Sequence, residues 1–244
     1  MSATTNAHGQ PIGPALPNWQ APPQPAREPM AGRFCRLEPL SPTRHAATLY
    51  EQIAIDDDPS GWTYLGYGPF QSAAAYRAWV ADVAAGDDPL FFAIVDAQDN
   101  QPIGVASYLR IDPPNGAIEV GHLHFTHRLR QTPAATEAMA LMMRRAFELG
   151  YRRYEWKCDA LNAPSRRAAA RLGFQFEGVF RQAVVYNGRS RDTAWFSIID
   201  REWPAIDSTL TAWLAPANFD AAGRQRQSLS AFMPRRETET ETGG

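Results

Sequence analysis

The chain is poor in cysteine and has no long apolar run. Its 244 residues include two cysteines, Cys35 and Cys158, which do not make a disulfide framework. No segment approaches the roughly 20 apolar residues that cross a bilayer. The N-terminus also lacks the basic start and apolar stretch of a secretory signal. These absences favour a cytoplasmic protein with no membrane partner.

Charge and ligand spacing exclude further classes of protein. The formal net charge is −2, so no general attraction to nucleic acid is expected. His122 and His124 stand two apart, which is not the spacing of a zinc site, and we expect them to pack or to line a pocket rather than to bind metal. No Gly-x-Gly-x-x-Gly follows a predicted strand, which excludes a doubly wound dinucleotide fold. We predict no metal site.

The two ends differ in composition from the rest of the chain. Seven prolines fall in the first 30 residues, and the last 20 residues are mostly polar. Such segments bury too little apolar surface to offset their ordering entropy. We therefore predict a disordered, proline-rich tail at 1–30, one domain at 31–216 and a flexible polar tail at 217–244.

The order of predicted elements indicates a mixed α/β (α+β) domain. The order is strand, two helices, three strands, helix, strand, helix, two strands and a closing helix. A strand–helix–strand unit in the middle favours one parallel crossover inside a largely antiparallel sheet. Asn187-Gly188 between the last two strands is a strong hairpin signal.

Residues 117–135 form the centre of this pattern. Alternation predicts a strand with Ile118, Val120, His122 and His124 on one face, and the intervening residues on the other: Glu119, Gly121, Leu123 and Phe125. After a basic turn, Thr132 is a good N-cap, and Pro133 suits the first helical position. Free N–H groups and the helix dipole make such a start an anion site. The alternative is an ordinary packing unit.

Three stretches carry a resemblance to a known family. They are Ile118-Glu-Val-Gly, Ala135-Thr-Glu-Ala-Met, and 156–174 with its Asn…Ser…Leu-Gly-Phe spacing. Over roughly residues 33–200 the chain resembles the GNAT superfamily of N-acetyltransferases, and within it the RimJ/RimL-type branch. The resemblance implies a GNAT-like fold with helices on both faces of the sheet. It also implies acetyl-CoA as co-substrate and direct attack by a primary amine in a ternary complex.

The resemblance implies a set of cofactor contacts. The pyrophosphate loop falls on 130–135, where Pro133 replaces a glycine and removes one backbone donor. The strand end pairs with the pantetheine amides, Asn162 contacts pantetheine, and the arginines of the short helix reach the phosphates unless they form only a solvated face. The full set is Leu123, His124, Phe125, Arg130, Gln131, Thr132, Pro133, Ala134, Ala135, Asn162, Ser165, Arg166 and Arg167.

The resemblance also suggests catalytic groups. Glu119 is the candidate base, with a purely structural, salt-bridged glutamate as the alternative and His122 as a weaker candidate. Ser165 would lie near the sulfur of CoA, or would serve only in the first turn of its helix. The tyrosine acid of many family members is matched by Ala169 and is therefore missing.

The acceptor would be a small-molecule amine or a protein N-terminus, bound by a monomer or homodimer. Its walls would come from Trp62, Tyr64, Tyr67, Trp156 and Cys158, although loop aromatics often pack on the core instead. Two alternatives stay open at this point. One is a non-catalytic acyl-CoA-binding regulatory module, favoured by Pro133 and Ala169, and the other is the same fold with a different acyl donor.

Overall fold

Ten strands are present in the computed structural model of the chain, which describes residues 4–56 and 58–233. Two short strands near the N-terminus, β1 (Thr4–Thr5) and β2 (Pro11–Ile12), form a separate pair. The other eight form the main sheet; in chain order they are β3 (Met30–Ala31), β4 (Cys35–Pro39), β5 (Leu90–Asp96), β6 (Pro102–Asp112), β7 (Ala117–Phe125), β8 (Arg153–Asp159), β9 (Gln175–Tyr186) and β10 (Arg189–Ile199). Their spatial order is β3-β4-β5-β6-β7-β8-β10-β9.

The helices follow the order expected from the sequence. They are α1 (Ala46–Asp56), α2 (Ala73–Val83), α3 (Pro133–Glu148), α4 (Ala163–Arg171), α5 (Trp203–Leu214) and α6 (Leu229–Phe232). Ser72, Thr132 and Asn162 cap α2, α3 and α4, each accepting a backbone N–H through its side chain, as predicted. None of the described helices is both long and apolar enough to cross a membrane.

The helices cover both faces of the sheet. A large apolar cluster lies between one face and α3, α4 and α5, while a smaller one lies between the other face and α1 and α2. The mixed, mainly antiparallel sheet with helices on both sides is therefore confirmed. Asn187 and Gly188 both have positive φ (47° and 68°), which suits the tight hairpin between β9 and β10.

The crossover β7–α3–β8 contains the only parallel pairing of the described sheet. The two strands pair from Ala117 opposite Arg153 to Val120 opposite Trp156, and no further. Beyond that point β7 continues to Phe125 and β8 continues to Asp159. The divergence leaves the second half of β7 without a partner on its β8 side.

A bulge in β7 overturns part of the predicted alternation. Opposite β6, the register moves from Gly121 paired with Ser107 to His124 paired with Val105, so β7 holds one extra residue. His122 carries it with φ of 52°. Because an extra residue reverses the sequence of faces, His122 and His124 lie on the face of Glu119, and Leu123 and Phe125 pack against the opposite cluster. The prediction that placed these four residues the other way round is wrong.

The described parts of both terminal segments contact the domain. Trp19 Nε1 donates to the carbonyl of Pro114 (3.2 Å), and Tyr151 Oη donates to that of Pro23 (3.1 Å). At the other end Trp213 Nε1 donates to the carbonyl of Gln227 (3.0 Å), and Leu229 is fully buried. The chain therefore still packs on the domain beyond the predicted boundaries at 30 and 217. Isolated apolar residues in these polar stretches are enough to anchor the two segments. Residues 1–3 and 234–244 lie outside the described residues.

Glu137 joins α3 to the first strands of the sheet. Its buried carboxylate accepts the backbone N–H groups of Arg33 (2.8 Å), Phe34 (2.6 Å) and Cys35 (2.9 Å). Arg33 and Phe34 lie in the turn between β3 and β4 and Cys35 begins β4, so one side chain accepts three consecutive N–H groups. The contact explains why the helix interior contains a buried acid.

Replacing Glu137 with alanine should destabilise the protein by roughly 3 kcal/mol, because buried N–H groups lose their acceptor at about 1–3 kcal/mol each and part of the loss is relieved by relaxation. Urea unfolding of the full chain measures the change. Glu148→Ala, at an exposed position of the same helix, is the control and should stay within about 0.5 kcal/mol. Equal effects of the two variants would contradict the assigned role of Glu137.

Candidate active site

A cleft of about 480 Å³ opens where β7 and β8 diverge. Its walls come from the loop at 61–66, from β6, β7 and β8, from the first turn of α4 and from the β9–β10 hairpin. Glu119 lines this cleft, on the face of the sheet that is turned towards the loop at 61–66. The fold therefore places the predicted base beside the gap in the sheet.

Glu119 is part of a chain of alternating charges whose centre, Glu119 and Lys157, is buried. Its Oε2 lies 2.6 Å from Arg110 Nη1 and 3.0 Å from Lys157 Nζ. Lys157 also contacts Glu155 Oε2 (2.7 Å), and Arg153 continues the chain from Glu155 (2.6 Å). The side chains of Glu119 and Lys157 are only 4% and 7% exposed, so their charges depend on one another rather than on water.

The environment raises the pKa of Glu119 above its ordinary value. Burial is the main cause, and Lys157 and Arg110 oppose it. A buried carboxylate that has a raised pKa and lines a cleft is suited to accept a proton. The salt-bridged glutamate and the base are thus compatible descriptions of the same side chain.

The two histidines of β7 have different surroundings. His122 lines the cleft, and its Nδ1 lies 3.2 Å from Tyr67 Oη. Burial lowers its pKa, so the ring is neutral near pH 7. His124 stacks on Trp62 with ring centroids 3.9 Å apart, and burial lowers its pKa to about 4. His124 therefore belongs to the apolar packing of that face, whereas His122 faces the cleft.

The start of α4 forms a second wall. Asn162 Oδ1 accepts the N–H of Ser165 (3.1 Å), so Asn162 is the cap and leaves the Ser165 hydroxyl for other contacts. That hydroxyl accepts Trp156 Nε1–H (3.0 Å). Burial raises the pKa of the neighbouring Cys158 thiol, and a hydrogen bond with Ser165 opposes the shift. Ala169 is buried in the core, and a tyrosine acid is missing from that position.

The loop before α3 keeps some of its backbone donors for a ligand. Thr132 N–H donates to Leu129 (3.3 Å), and Ala135 N–H donates to Thr132 Oγ1 (3.3 Å). Within 4–56 and 58–233, no hydrogen bond uses the N–H of Gln131 or Ala134. Gln131 has φ of 61°, which turns the chain sharply before the helix. The loop fits an anionic group, although with fewer donors than a glycine at Pro133 would give.

The arginines near this loop are engaged locally. Arg130 Nε donates to the carbonyl of Phe125 (2.8 Å), and its guanidinium lies 3.8 Å from Asp56 and 4.0 Å from Asp58. Arg166 donates to the carbonyl of Ala160 (3.2 Å), and Arg167 is exposed on α4. Contacts of these side chains with phosphate groups would need changes of rotamer.

The predicted acceptor walls are only partly brought together. Tyr64, Trp156 and Cys158 line the cleft. Trp62 and Tyr67 instead pack in the aromatic cluster above α2 and do not line it, although Tyr67 contacts the lining residue His122. Aromatic side chains in this loop thus serve mainly as core.

The sequence interpretation missed several residues that line the cleft. Lys157 is the only lysine of the chain, and this rarity is a signal that could have singled it out. On the neighbouring strand β10, Trp195 pairs with Lys157 and Thr193 pairs with Asp159. Such neighbours become visible only once the strand order is known. The missed residues are Arg110, Lys157, Arg191, Thr193 and Trp195.

This combination of fold and cleft agrees with a sequence comparison. Residues 35–175 match the family described as acetyltransferase (GNAT) domain. The chain belongs to the GNAT acetyltransferase family. It is therefore an N-acetyltransferase homologue, and the matched region includes β7, α3, β8 and α4, which surround the cleft.

Individual relatives support the same assignment. A crystal structure of a GCN5-related N-acetyltransferase from Brucella melitensis is 46% identical, with a TM-score of 0.87 over 89% of this chain and 99% of that one. An uncharacterized N-acetyltransferase, p20, from Bacillus licheniformis is 28% identical over 60% of this chain and 84% of its own. The ribosomal-protein-serine acetyltransferase of Escherichia coli K12 is 31% identical over 43% of this chain and 59% of its own.

The buried charge chain leads to a stability prediction. Lys157→Met should destabilise the fold by about 3 kcal/mol at pH 8, because it leaves two buried carboxylates without their shared cation. The pKa of Glu119 is already raised in the folded state and should rise further in the variant. The loss should therefore shrink as the pH falls through that raised pKa towards the unfolded value of about 4.3.

Denaturant unfolding at several pH values measures this loss, with Lys157→Arg as the charge-preserving control. A loss for Lys157→Met that is independent of pH would show that packing, and not charge, accounts for the effect.

Proposed function

We propose that the protein transfers an acetyl group from acetyl-CoA to a primary amine of a small molecule or a protein N-terminus, by direct attack in a ternary complex. The observation that carries the proposal is the position of Glu119. It is a buried carboxylate with a raised pKa, and it lines the cleft beside the gap between β7 and β8. A base at this gap can receive the proton of an amine that attacks a thioester held between the strands.

The gap offers the groups that acetyl-CoA needs. Acetyl-CoA supplies the activated acyl group as a thioester. The unpaired side of β7 around Leu123 presents backbone groups to an extended amide chain, and the free N–H groups of Gln131 and Ala134 suit the pyrophosphate. Asn162 and Ser165 stand on the opposite side of the gap, on α4. Arg130, Arg166 and Arg167 remain candidates for the phosphates.

Two side chains on opposite sides of the cleft, Glu119 and Ser165, assist the reaction in different ways. Glu119 accepts the proton of the attacking amine, directly or through one water. Protonation removes the negative charge that pairs with Lys157 and Arg110. The Ser165 hydroxyl, which accepts the Trp156 indole N–H, keeps its own proton and stabilises the departing thiolate of CoA by a hydrogen bond. Positioning of both reactants in one cleft supplies much of the remaining rate acceleration.

One relative bears on the branch of the family and on the class of acceptor. Similarity to the E. coli ribosomal-protein-serine acetyltransferase over part of both chains favours the RimJ/RimL-type branch and keeps a protein N-terminus among the acceptors. The cytoplasmic location and the monomeric or homodimeric state stay predictions from sequence.

Glu119→Gln should lower kcat by roughly 10²-fold or more while the KM for acetyl-CoA is kept, because the amide cannot accept the proton. The acidic limb of the pH profile should disappear with it, since the raised pKa belongs to this carboxyl. Steady-state thiol release from acetyl-CoA with an amine panel measures both effects. Glu155→Gln is the matched control, because it also removes one anion from Lys157 but does not line the cleft. An unchanged kcat for Glu119→Gln would sink the assignment of the base.

Pro133→Ala and Pro133→Gly should each lower the KM for acetyl-CoA by a few-fold and leave the acceptor KM alone. Both restore an N–H at the α3 start, while only glycine adds backbone freedom, so the alanine variant isolates the donor. Initial rates at varied acetyl-CoA and at varied amine separate the two KM values. A large change in the acceptor KM would mean that the loop does not bind the cofactor.

A further inference from the structure

Three side chains of β10 present unused hydrogen-bonding groups beside the cleft. Arg191, Thr193 and Trp195 all line it. Their Nε, Oγ1 and Nε1 atoms are shielded from solvent and have no hydrogen-bond partner among the described residues. Six buried side-chain atoms in that part of the chain share this property, and half of them lie in this one row. The clustering points to a common cause at the cleft.

Unused polar groups at this depth are costly. Each buried donor without a partner costs about 1–3 kcal/mol, and native proteins contain few of them. Thr193 is only 5% exposed, and its Oγ1 is shielded from bulk solvent. The side chains of Arg191 and Trp195 are partly buried, so small rotamer changes bring their N–H groups to a bound molecule. A ligand that supplies acceptor atoms accounts for the row.

The chemistry of the row selects the ligand. The indole N–H and the guanidinium are donors only, and a threonine hydroxyl can donate as well. Donors of this kind, one of them cationic, bind carboxylate or phosphate oxygens best. The row is therefore complementary to an anion and not to a second amine.

The other charged groups that line the cleft have partners of their own; among them, Asp159 Oδ2 accepts the hydroxyl of Tyr186 (2.7 Å). Lys157 is paired with Glu119 and Glu155, and Arg110 is paired with Glu119. For Arg191, the described part of the chain contains no ion pair; its guanidinium lies 5.6 Å from the centre of the Tyr186 ring. Arg191 is thus the cation of the cleft that has no intramolecular carboxylate partner among those residues.

The row lies within reach of the proposed reaction. Trp195 on β10 pairs with Lys157 on β8, and Lys157 contacts Glu119 on β7. Where β7 and β8 are still paired, the backbones of β7 and β10 are two strand spacings apart, or about 10 Å, and they separate further beyond Val120. Side chains reach into the cleft from both strands, so a compact molecule can contact Glu119 and the row together.

We infer that the acceptor is a compact primary amine that carries a carboxylate or phosphate group, and that Arg191, Thr193 and Trp195 bind this group. The inference rests on the proposed acetyl transfer and adds the class of acceptor to it. It favours a small anionic amine over the N-terminus of a protein, whose first peptide bonds carry no charge.

Matched pairs of acceptors test the inference with the full chain and acetyl-CoA. L-serine is compared with L-serinamide, and O-phosphoethanolamine with ethanolamine, which also separates the carboxylate from the phosphate. We expect kcat/KM to be at least tenfold higher for the anionic member of one pair. Arg191→Gln should raise the KM of that member tenfold or more and leave the neutral member and the acetyl-CoA KM unchanged. Thr193→Val should have a smaller effect in the same direction.

Arg189→Gln is the control, because Arg189 is an exposed arginine of the same strand that does not line the cleft. Equal kcat/KM values within both pairs, a neutral peptide N-terminus as the best acceptor, or the same loss for both members in Arg191→Gln would each overturn the inference.

Calorimetric binding of O-phosphoethanolamine and L-serine to the CoA-saturated protein tests the anion site without turnover. Binding that Arg191→Gln abolishes, without thiol release from any amine, would support the anion site and reject the acetyl transfer. Absence of binding and of discrimination would reject the anion site alone.

Discussion

The early end of the pairing between β7 and β8 is the constraint on which the rest of the site depends. The strands are parallel and hydrogen-bonded only up to Val120 and Trp156. A bulge at His122 then turns β7 while β8 continues beside β10. A sheet that stays paired has no room for a ligand between its strands, whereas this one exposes backbone groups and leads directly to a side-chain cleft. The proposed binding of acetyl-CoA thus depends on this local break in the pairing of the sheet.

Such a gap would weaken the centre of the sheet if nothing bridged it. Lys157 contacts Glu119 from the neighbouring strand on the face beside the divergence, and its ammonium also lies 3.5 Å from the centre of the Trp195 ring. A buried ion pair is weak evidence for net stability, because desolvation offsets much of the attraction. The role of the Lys157–Glu119 pair is instead to hold the Glu119 carboxylate in position. The same contacts that keep Glu119 in place also limit how far its pKa rises, so the structural and chemical roles of the carboxylate cannot be separated by removing one partner.

Local signals in the sequence predicted most of the fold and less of the site. Caps at Thr132 and Asn162 and the Asn187-Gly188 turn depend on neighbouring residues, and they were predicted correctly because such rules are local. The faces of β7 beyond Gly121 were predicted wrongly. His122 has a positive φ and interrupts the alternation of side chains along the strand, and the sequence contains no signal for such a bulge. Lys157 as a partner of Glu119 depends on the parallel register between distant segments. Trp62 looked like a wall of the pocket, but it stacks on His124, whose face the bulge had changed.

The two sides of the cleft offer different kinds of ligand contacts, backbone groups on one side and side chains on the other. This difference bears on the selection of the acceptor. On the cofactor side the available partners are mainly backbone atoms of β7 and of the α3 start, whose positions follow from the fold. A substitution such as proline at 133 therefore removes one donor and leaves the others in place. On the β10 side the partners are side chains, namely Arg191, Thr193 and Trp195, which can change without altering the sheet. Under the proposed assignment, the acyl donor is bound by backbone atoms whose positions the fold sets, and the acceptor is selected by side chains that can change without altering the sheet.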